Sequence, residues 1–578
     1  MKLWRFRAFK NSKKLLVLTF LVICSSLCGL YVTFQFKENT LFSEETNQLK
    51  GIRRAEFRYK ETLKKLSDSE LDIMRKRYYR DVALHWGSVH GLLPQGKPLP
   101  HVSCLRHLDT QFTVSVSVVM CMRNELIYLL LRTLTTIVRR TPKRLLHEIV
   151  LIDDGSDFDA LPEIRNYSSQ LNIPLKILRN NKSVGITSCR RYGIEKAEGE
   201  VVVLLDSHME VSELWLEPLL DILHSKPDGI AVPTLHLINE KEYDSLHLKE
   251  CNAYGIEAVA GYSYFRYYVA GPPADDQSAP YSTASVLGGG LAAYKSTFIR
   301  LYPKIVFKEL WGTENTRLAI RAWACGGGLW MTRCSQVLHT NGHDGDLDRY
   351  KGKSPDMTKH LQYETVGDIS NFITTEKDKM RFFQSIFKEE TEIKEVKDIA
   401  KIISTQFDVS KCSKDFHWFL KNIFPSSHYL QFVSTDYSIV GEAQSMFDKT
   451  YCVKAGNKKV SVDKNCRNDK TAFYDDHLVG ISKKGDIHMT YFTLFCFDQE
   501  GKSAEGTEVM LHGCHTKNYG YPKAGATQNF VYEGKRIVHV PSNNCLQLDV
   551  VKGSVELWKC NDSMEQKWNI VPARWTQL

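Results

Sequence analysis

What this chain lacks is a concentrated basic surface. The formal net charge is +9, yet Lys and Arg are scattered apart from a cluster near the N-terminus, and no basic stripe interleaved with aromatics appears. Nucleic acid is therefore not an expected partner. Signs of disorder are equally scarce: hydrophobic residues make up 43% and charged residues 25%, proportions that permit large buried cores. At 578 residues the chain exceeds what one core usually organises, so two folded domains plus connecting segments are expected.

Charged side chains are absent between Leu15 and Phe36. As a helix, those 22 residues span the roughly 30 Å hydrocarbon layer of a bilayer. Lys2, Arg5, Arg7, Lys10, Lys13 and Lys14 precede the run, and such an excess of positive charge stays cytoplasmic. The expectation is a cytoplasmic tail over 1–14, a single transmembrane signal anchor over 15–36 and a lumenal remainder. A cleaved signal peptide is disfavoured, because its apolar core is only about 7–15 residues long. Fifteen cysteines fit an oxidising lumen, and their odd number leaves at least one free thiol or an intermolecular partner. Residues 37–100 are charge-rich and read as a stem.

After Cys104 short apolar runs alternate with helical stretches, the pattern of a parallel sheet. In such sheets ligands bind beyond the carboxyl ends of the strands, which is where Arg123-Asn124-Glu125, Asp153-Asp154-Gly155 and Asp206-Ser207-His208 fall. The domain is expected over 101–425. From 437 to 578 the cysteines recur in three pairs, Cys452 and Cys466, Cys496 and Cys514, Cys545 and Cys560. That threefold repeat among turn-separated β segments reads as a small trefoil.

The run "VVVLLDSHME", Val201 to Glu210, ends in chemistry. Along a strand, Asp206 and His208 at i and i+2 face one point while Ser207 faces away. A carboxylate oxygen with an imidazole nitrogen suits manganese, and an ion held by two or three side chains keeps positions open for a diphosphate. His339 is the expected third ligand. An Asp-x-His tripeptide also occurs where solvated residues merely cap a sheet. Asp153 and Asp154 end another strand, where they suit either hydrogen bonds from a ribose or base or an ordinary turn.

The motifs "LLRT", "LIDDGSD", "LLDSHMEV" with "WLEPLL", "GGGLAAY", "WGTEN" with "AWACGGG", "CSQVLH" and "CSKDFHWFLKNIFP" follow in this order. With them the chain resembles the polypeptide N-acetylgalactosaminyltransferases, from about Cys104 to the C-terminus. The resemblance implies an α/β GT-A glycosyltransferase domain with a mixed, mainly parallel sheet, then an all-β ricin-type β-trefoil lectin domain, behind a Golgi type II anchor. It implies retaining transfer of GalNAc from UDP-GalNAc to Ser or Thr of acceptor proteins, the start of mucin-type O-glycans. Carried over by motif, Asp206, His208 and His339 would bind Mn2+, with Asp154, Ser207 and Trp311 at the donor. Glu314 and Asn315 would line the sugar site as its catalytic pair, and Asp498 and His515 would bind sugar in the trefoil. The implied disulfides are Cys104 with Cys334, Cys325 with Cys412, and the three trefoil pairs, leaving Cys121, Cys189 and Cys251 unassigned.

Departures from the pattern are concentrated at donor contacts. Arg123 stands where the family has His, Cys121 where it has Thr, Ser183 where it has Arg, and His236 where it has Asp. After His339 the stretch "HTNGHDGDLDRYKG" places Gly342 at the family's arginine, and the following acceptor-loop signature has no clear counterpart. In the trefoil, Lys454 and Gln547 replace the sugar-binding acid of the first and third repeats. Two alternatives therefore stand beside the transferase reading: a weak or inactive relative that binds glycoprotein or regulates a partner, and a transferase using another UDP-sugar.

Overall fold

A computed structural model describes Cys104, His107 and residues 112–577, except 126, 158, 171–173, 240–248, 252, 260–261, 268–278, 287, 307–313, 342–354, 425–436, 473–474, 484–486, 492, 502–503 and 514–525. The expected tail, anchor and stem lie outside the described residues. Among those described, no helix is long and apolar enough to cross a membrane.

The first domain is built from β1 (Val116–Met122), α1 (Ile127–Arg140), β2 (Leu146–Asp153), α2 (Leu161–Gln170), β3 (Leu175–Arg179), α3 (Ile186–Lys196), β4 (Val201–Asp206), β5 (Met209–Val211), α4 (Glu217–Ser225), β6 (Ile230–Asn239), β7 (Lys249–Cys251), β8 (Ala253–Val259), β9 (Tyr262–Tyr267), β10 (Tyr281–Ser282), β11 (Leu291–Tyr294), α5 (Lys295–Leu301), α6 (Glu314–Cys325) and β12 (Leu329–Asn341). Four helices close it: α7 (Pro355–Ser370), α8 (Glu376–Ile386), α9 (Glu390–Gln406) and α10 (Phe416–Asn422). Strands β1 to β4 are parallel in the order β4-β1-β2-β3, and β11 joins β4 and β6 antiparallel. The sheet is thus mixed. Every residue of β1 is buried, as is Val201–Leu205 of β4, and near-continuous apolar runs are what central strands covered on both faces require.

Two glycines set how closely the layers approach. A Cβ at Gly193 of α3 would lie 2.3 Å from Val119 Cγ1 and 2.8 Å from Ile152 Cδ1, so the helix rests almost directly on β1 and β2. At Gly288, φ is +87° and a Cβ would lie 2.6 Å from the Asn315 amide nitrogen. Any larger residue there would displace the start of α6. Within α6, the buried Arg317 donates to Glu364 at 2.6 Å and to Asp368 at 2.8 Å, both on α7. This buried ion network fixes the helix that carries Glu314 and Asn315.

The second domain runs from β13 (Tyr437–Ser445) to β25 (Trp568–Pro572), in one eight-stranded and one five-stranded sheet. Its own core includes Phe497, Phe530, Leu546 and Trp568. Val440, Leu478, Ala573 and Trp575 instead belong to a cluster shared with Phe383 and Phe387 of the first domain. Arg574 extends that contact, donating to Glu390 at 3.0 Å and to the Phe387 carbonyl at 2.7 Å.

Disulfides join Cys104 to Cys334, Cys325 to Cys412, Cys452 to Cys466 and Cys545 to Cys560. Cys496 is also disulfide-bonded, while Cys514 lies outside the described residues. A further bond joins Cys121 to Cys189, a pair that sequence reasoning left unassigned because it did not orient α3 on the sheet.

Candidate metal and donor site

The site forms where β4 ends. The expectation of one strand presenting Asp206 and His208 on alternate positions needs correction: Asp206 closes β4, Ser207 and His208 form a turn, and β5 begins at Met209. The turn does the work of the pleat. Met209 is paired with His339 across β5 and β12, so the turn brings His208 to the strand that supplies the third side chain. His208 Nε2 lies 3.1 Å from His339 Nε2, and His339 Nε2 lies 3.6 Å from Asp206 Oδ2. Both separations are near the roughly 3 Å between neighbouring positions around an ion with bonds near 2.1 Å, and one ligand atom of each of the three residues falls within 4.8 Å of the others. The three side chains are 23, 22 and 21% exposed in the order Asp206, His208, His339, so one side of the cluster remains open.

Glu125 sets the histidine's tautomer. Its carboxylate lies 2.8 Å from His208 Nδ1, so Nδ1 carries the proton and Nε2 presents its lone pair toward His339 and Asp206. The same Oε2 accepts the Ser207 hydroxyl at 2.5 Å, while Thr133 of α1 donates to the Ser207 carbonyl at 3.1 Å. Ser207 is buried. Expected among the donor contacts, its hydroxyl is committed to Glu125 and fixes the turn.

Asp154, expected at the donor, is held by protein donors. Its carboxylate accepts from Asn180 Nδ2 at 2.7 Å, the Ser183 hydroxyl at 2.8 Å, Val184 N at 3.0 Å and Gly185 N at 3.0 Å. With those donors in place it is only 5% exposed and anchors the loop that starts α3. Asp153 is fully buried, accepting from Ser156 N at 2.9 Å with Arg179 Nε at 3.4 Å. The strand-end acids that sequence reasoning offered to a ribose or base are filled by the protein.

Arg190 escaped sequence reasoning. From α3 it reaches Asp206 Oδ1 at 2.5 Å and Glu314 Oε1 at 3.4 Å. Burial alone would raise the Asp206 carboxyl pKa, but the Arg190 guanidinium, aided by His339 and His208, outweighs it and holds the group well below the usual carboxylate range. Asp206 is therefore an anion at any neutral or mildly acidic pH. Glu314 is 1% exposed and Asn315 4%. Among the described residues Asn315 Oδ1 is buried without a hydrogen-bond partner; it sits against the Gly288 turn, while Gly289 passes close to Asp206 Oδ2, a Cβ there lying 3.4 Å away. The glycine run therefore forms one wall beside the acid. Trp311 and the stretch after Asn341 lie outside the described residues.

In the second domain Asp498 is buried, accepting from Gln528 Nε2 and Glu500 N, each at 2.8 Å. At the corresponding position of the third repeat Gln547 accepts from Gln566 Nε2 at 2.9 Å. In the first, the Lys454 ammonium is held by Asp463 at 3.1 Å and Asp476 at 3.3 Å, so a cation and two acids stand where the middle repeat keeps a single acid. His515 lies outside the described residues.

A carboxylate and two imidazoles, one of them locked in the ligating tautomer, fit a divalent ion of the manganese type with positions left open for oxygen ligands. Comparison with known proteins agrees. The chain matches Glycosyl transferase family 2 over residues 117–298 and the ricin-type beta-trefoil lectin domain over 440–568. It is 30% identical to a probable N-acetylgalactosaminyltransferase 8 of Caenorhabditis elegans, over 54% of this chain and 72% of that one. It is 29% identical to an inactive polypeptide N-acetylgalactosaminyltransferase-like protein 5 of Macaca fascicularis, over 54% and 68% respectively. In structure it is similar to GalNAc-T7 crystallised with UDP, GalNAc and Mn2+, at TM-score 0.54 and 24% identity, covering 80% of this chain and 83% of that one, a likeness that shows the fold. The chain, a glycosyltransferase by its first domain and lectin-like by its second, belongs to the polypeptide N-acetylgalactosaminyltransferase family.

Proposed function

We propose that this protein is a Mn2+-dependent, retaining transferase that moves GalNAc from UDP-GalNAc to Ser or Thr of proteins. The observation that carries the reading is the convergence of Asp206, His208 and His339 on one partly open point. Bound there, Mn2+ would supply positive charge that neutralises the diphosphate as the sugar bond breaks. The chain's own residues do the remainder. Glu125 holds His208 in the ligating tautomer, Arg190 keeps Asp206 ionised, and the Gly288–Gly290 turn lets Asn315 approach. We further infer residence in the Golgi membrane through residues 15–36, with both folded domains lumenal.

A second reading is favoured by one observation: Asp154, offered to the nucleotide by its motif, is saturated by protein donors. A weakly active or inactive relative acting through its trefoil would tolerate that, and a transferase of another UDP-sugar would use different contacts. The test is Mn2+-dependent binding, hydrolysis and peptide transfer by the full chain with several UDP-sugars, alongside Asp206→Ala. The transferase reading expects turnover of UDP-GalNAc that the substitution abolishes. Mn2+ and UDP binding without turnover would support the second reading, and no binding of either would sink the first.

A further inference from the structure

We propose that the Cys121–Cys189 disulfide is a positioning element of this site, a strut that holds Arg190 between Asp206 and Glu314. Cys121 lies near the end of β1 and is the Cα partner of Asp206 on β4 and of Ile152 on β2. Cys189 and Arg190 are adjacent in α3. The bond therefore ties the turn of helix that bears the guanidinium to the strand beside the acid it contacts. Gly193, one turn further along the same face, lets α3 come close enough for the bond to close, since any Cβ there would strike Val119 and Ile152.

The strut has a chemical reason. An arginine facing a single carboxylate prefers the parallel two-bond fork, which takes both oxygens. Here the guanidinium is split: Nη2 holds Asp206 Oδ1, and Nη1 faces Glu314. Asp206 Oδ2 is left toward His339, which is the oxygen an ion needs. Arg190 has a long, flexible stem and is almost wholly buried. Were α3 able to shift on the sheet, the guanidinium would slide into the fork and withdraw that second oxygen. Cys121 and Cys189 are themselves buried, so the bond is a fixed part of the site and not an exposed redox switch.

This inference rests on the metal site of the proposed function, and its test separates the two. Peptide mapping of the full chain without reduction should return the Cys121 and Cys189 peptides joined. Mn2+ affinity, read by calorimetry at 25 °C, should fall about tenfold in Cys121→Ala/Cys189→Ala and in the volume-restoring Cys121→Val/Cys189→Ala, the size typical of losing a residue that orients a ligand. Arg190→Lys, which cannot take both oxygens, should change Mn2+ affinity little in the crosslinked chain and restore most of the loss in either crosslink-free background, because the two act through one contact. Removing a trefoil bond, Cys452→Ala/Cys466→Ala, should lower thermal stability and leave Mn2+ affinity unchanged. Separate peptides with free thiols, unchanged Mn2+ affinity, additive effects with Arg190→Lys, or failure of both cysteine pairs to fold would each overturn the assignment. If the wild type binds no Mn2+, the proposed function fails and takes this inference with it; if only the variants behave like wild type, this inference alone fails.

Discussion

Two parallel strands of one sheet, β2 and β4, end in aspartates of opposite fate. Asp154, just past β2, accepts hydrogen bonds from four residues of the loop 180–185 and is almost sealed. Asp206, closing β4, gives one oxygen to Arg190 and leaves the other beside His339, with 23% of the side chain exposed. The residue type and the strand-end position are shared. The difference comes from what the following chain brings back. After β3 the loop into α3 returns backbone N–H groups, a hydroxyl and an amide to Asp154, so that acid becomes an anchor. After β4 a two-residue turn returns an imidazole, so that acid becomes part of a ligand set.

The comparison is broken most forcefully at Asp154. Replacing it with Ala removes one acceptor from several buried donors, which should cost about 2–4 kcal/mol of stability, read by denaturant unfolding, while Mn2+ affinity stays within about twofold. A loss of UDP binding with unchanged stability would instead return Asp154 to the donor site. Next in size is Glu125→Ala. Freed from its carboxylate partner, His208 can present either nitrogen, and Mn2+ affinity should fall about 10–100-fold, seen by calorimetry.

The smallest effect concerns His236, a buried imidazole whose ring nitrogens have no hydrogen-bond partner among the described residues. Burial pushes its pKa from 6.5 down to about 4. Between those values the unfolded chain binds a proton that the folded chain refuses, so stability falls as the pH drops from 6.5 toward 4 and is unaffected above that window. At pH 5 the contribution is about 1–2 kcal/mol. A His236→Gln protein should show a flatter dependence of melting temperature on pH between 6.5 and 5, and an unchanged slope would mean that the imidazole is protonated in the fold.

Sequence motifs placed much of this within reach. The alternation of apolar runs and helices led to the sheet, and the six trefoil cysteines led to the second domain, because both are local patterns with a fixed period. Asp206 and His208 are legible together in one short run, whereas His339, 131 residues beyond His208, is only an expected third ligand until the pairing of β5 with β12 places it. The fate of Asp154 was not legible, since its donors come from a loop about thirty residues downstream whose backbone direction no periodicity encodes. Arg190 was missed for a different reason. A charged residue in a helix ordinarily faces solvent, and only the close seating of α3 through Gly193 turns it inward. The sequence did hold a signal, Cys189 and Gly193 four residues apart, which marks the face laid against the sheet.

The central claim is that Asp206, His208 and His339 grip one divalent ion while Asp154 does not. Calorimetric titration of Mn2+ into the full chain and into its Asp206→Ala, His339→Ala and Asp154→Ala forms tests it directly. The account predicts one site in the wild type, at least about 100-fold weaker binding in the first two variants, equivalent to about 2.7 kcal/mol, and near-wild-type affinity in the third. Binding that survives loss of Asp206 and His339, or a wild type that takes up no Mn2+, would contradict it.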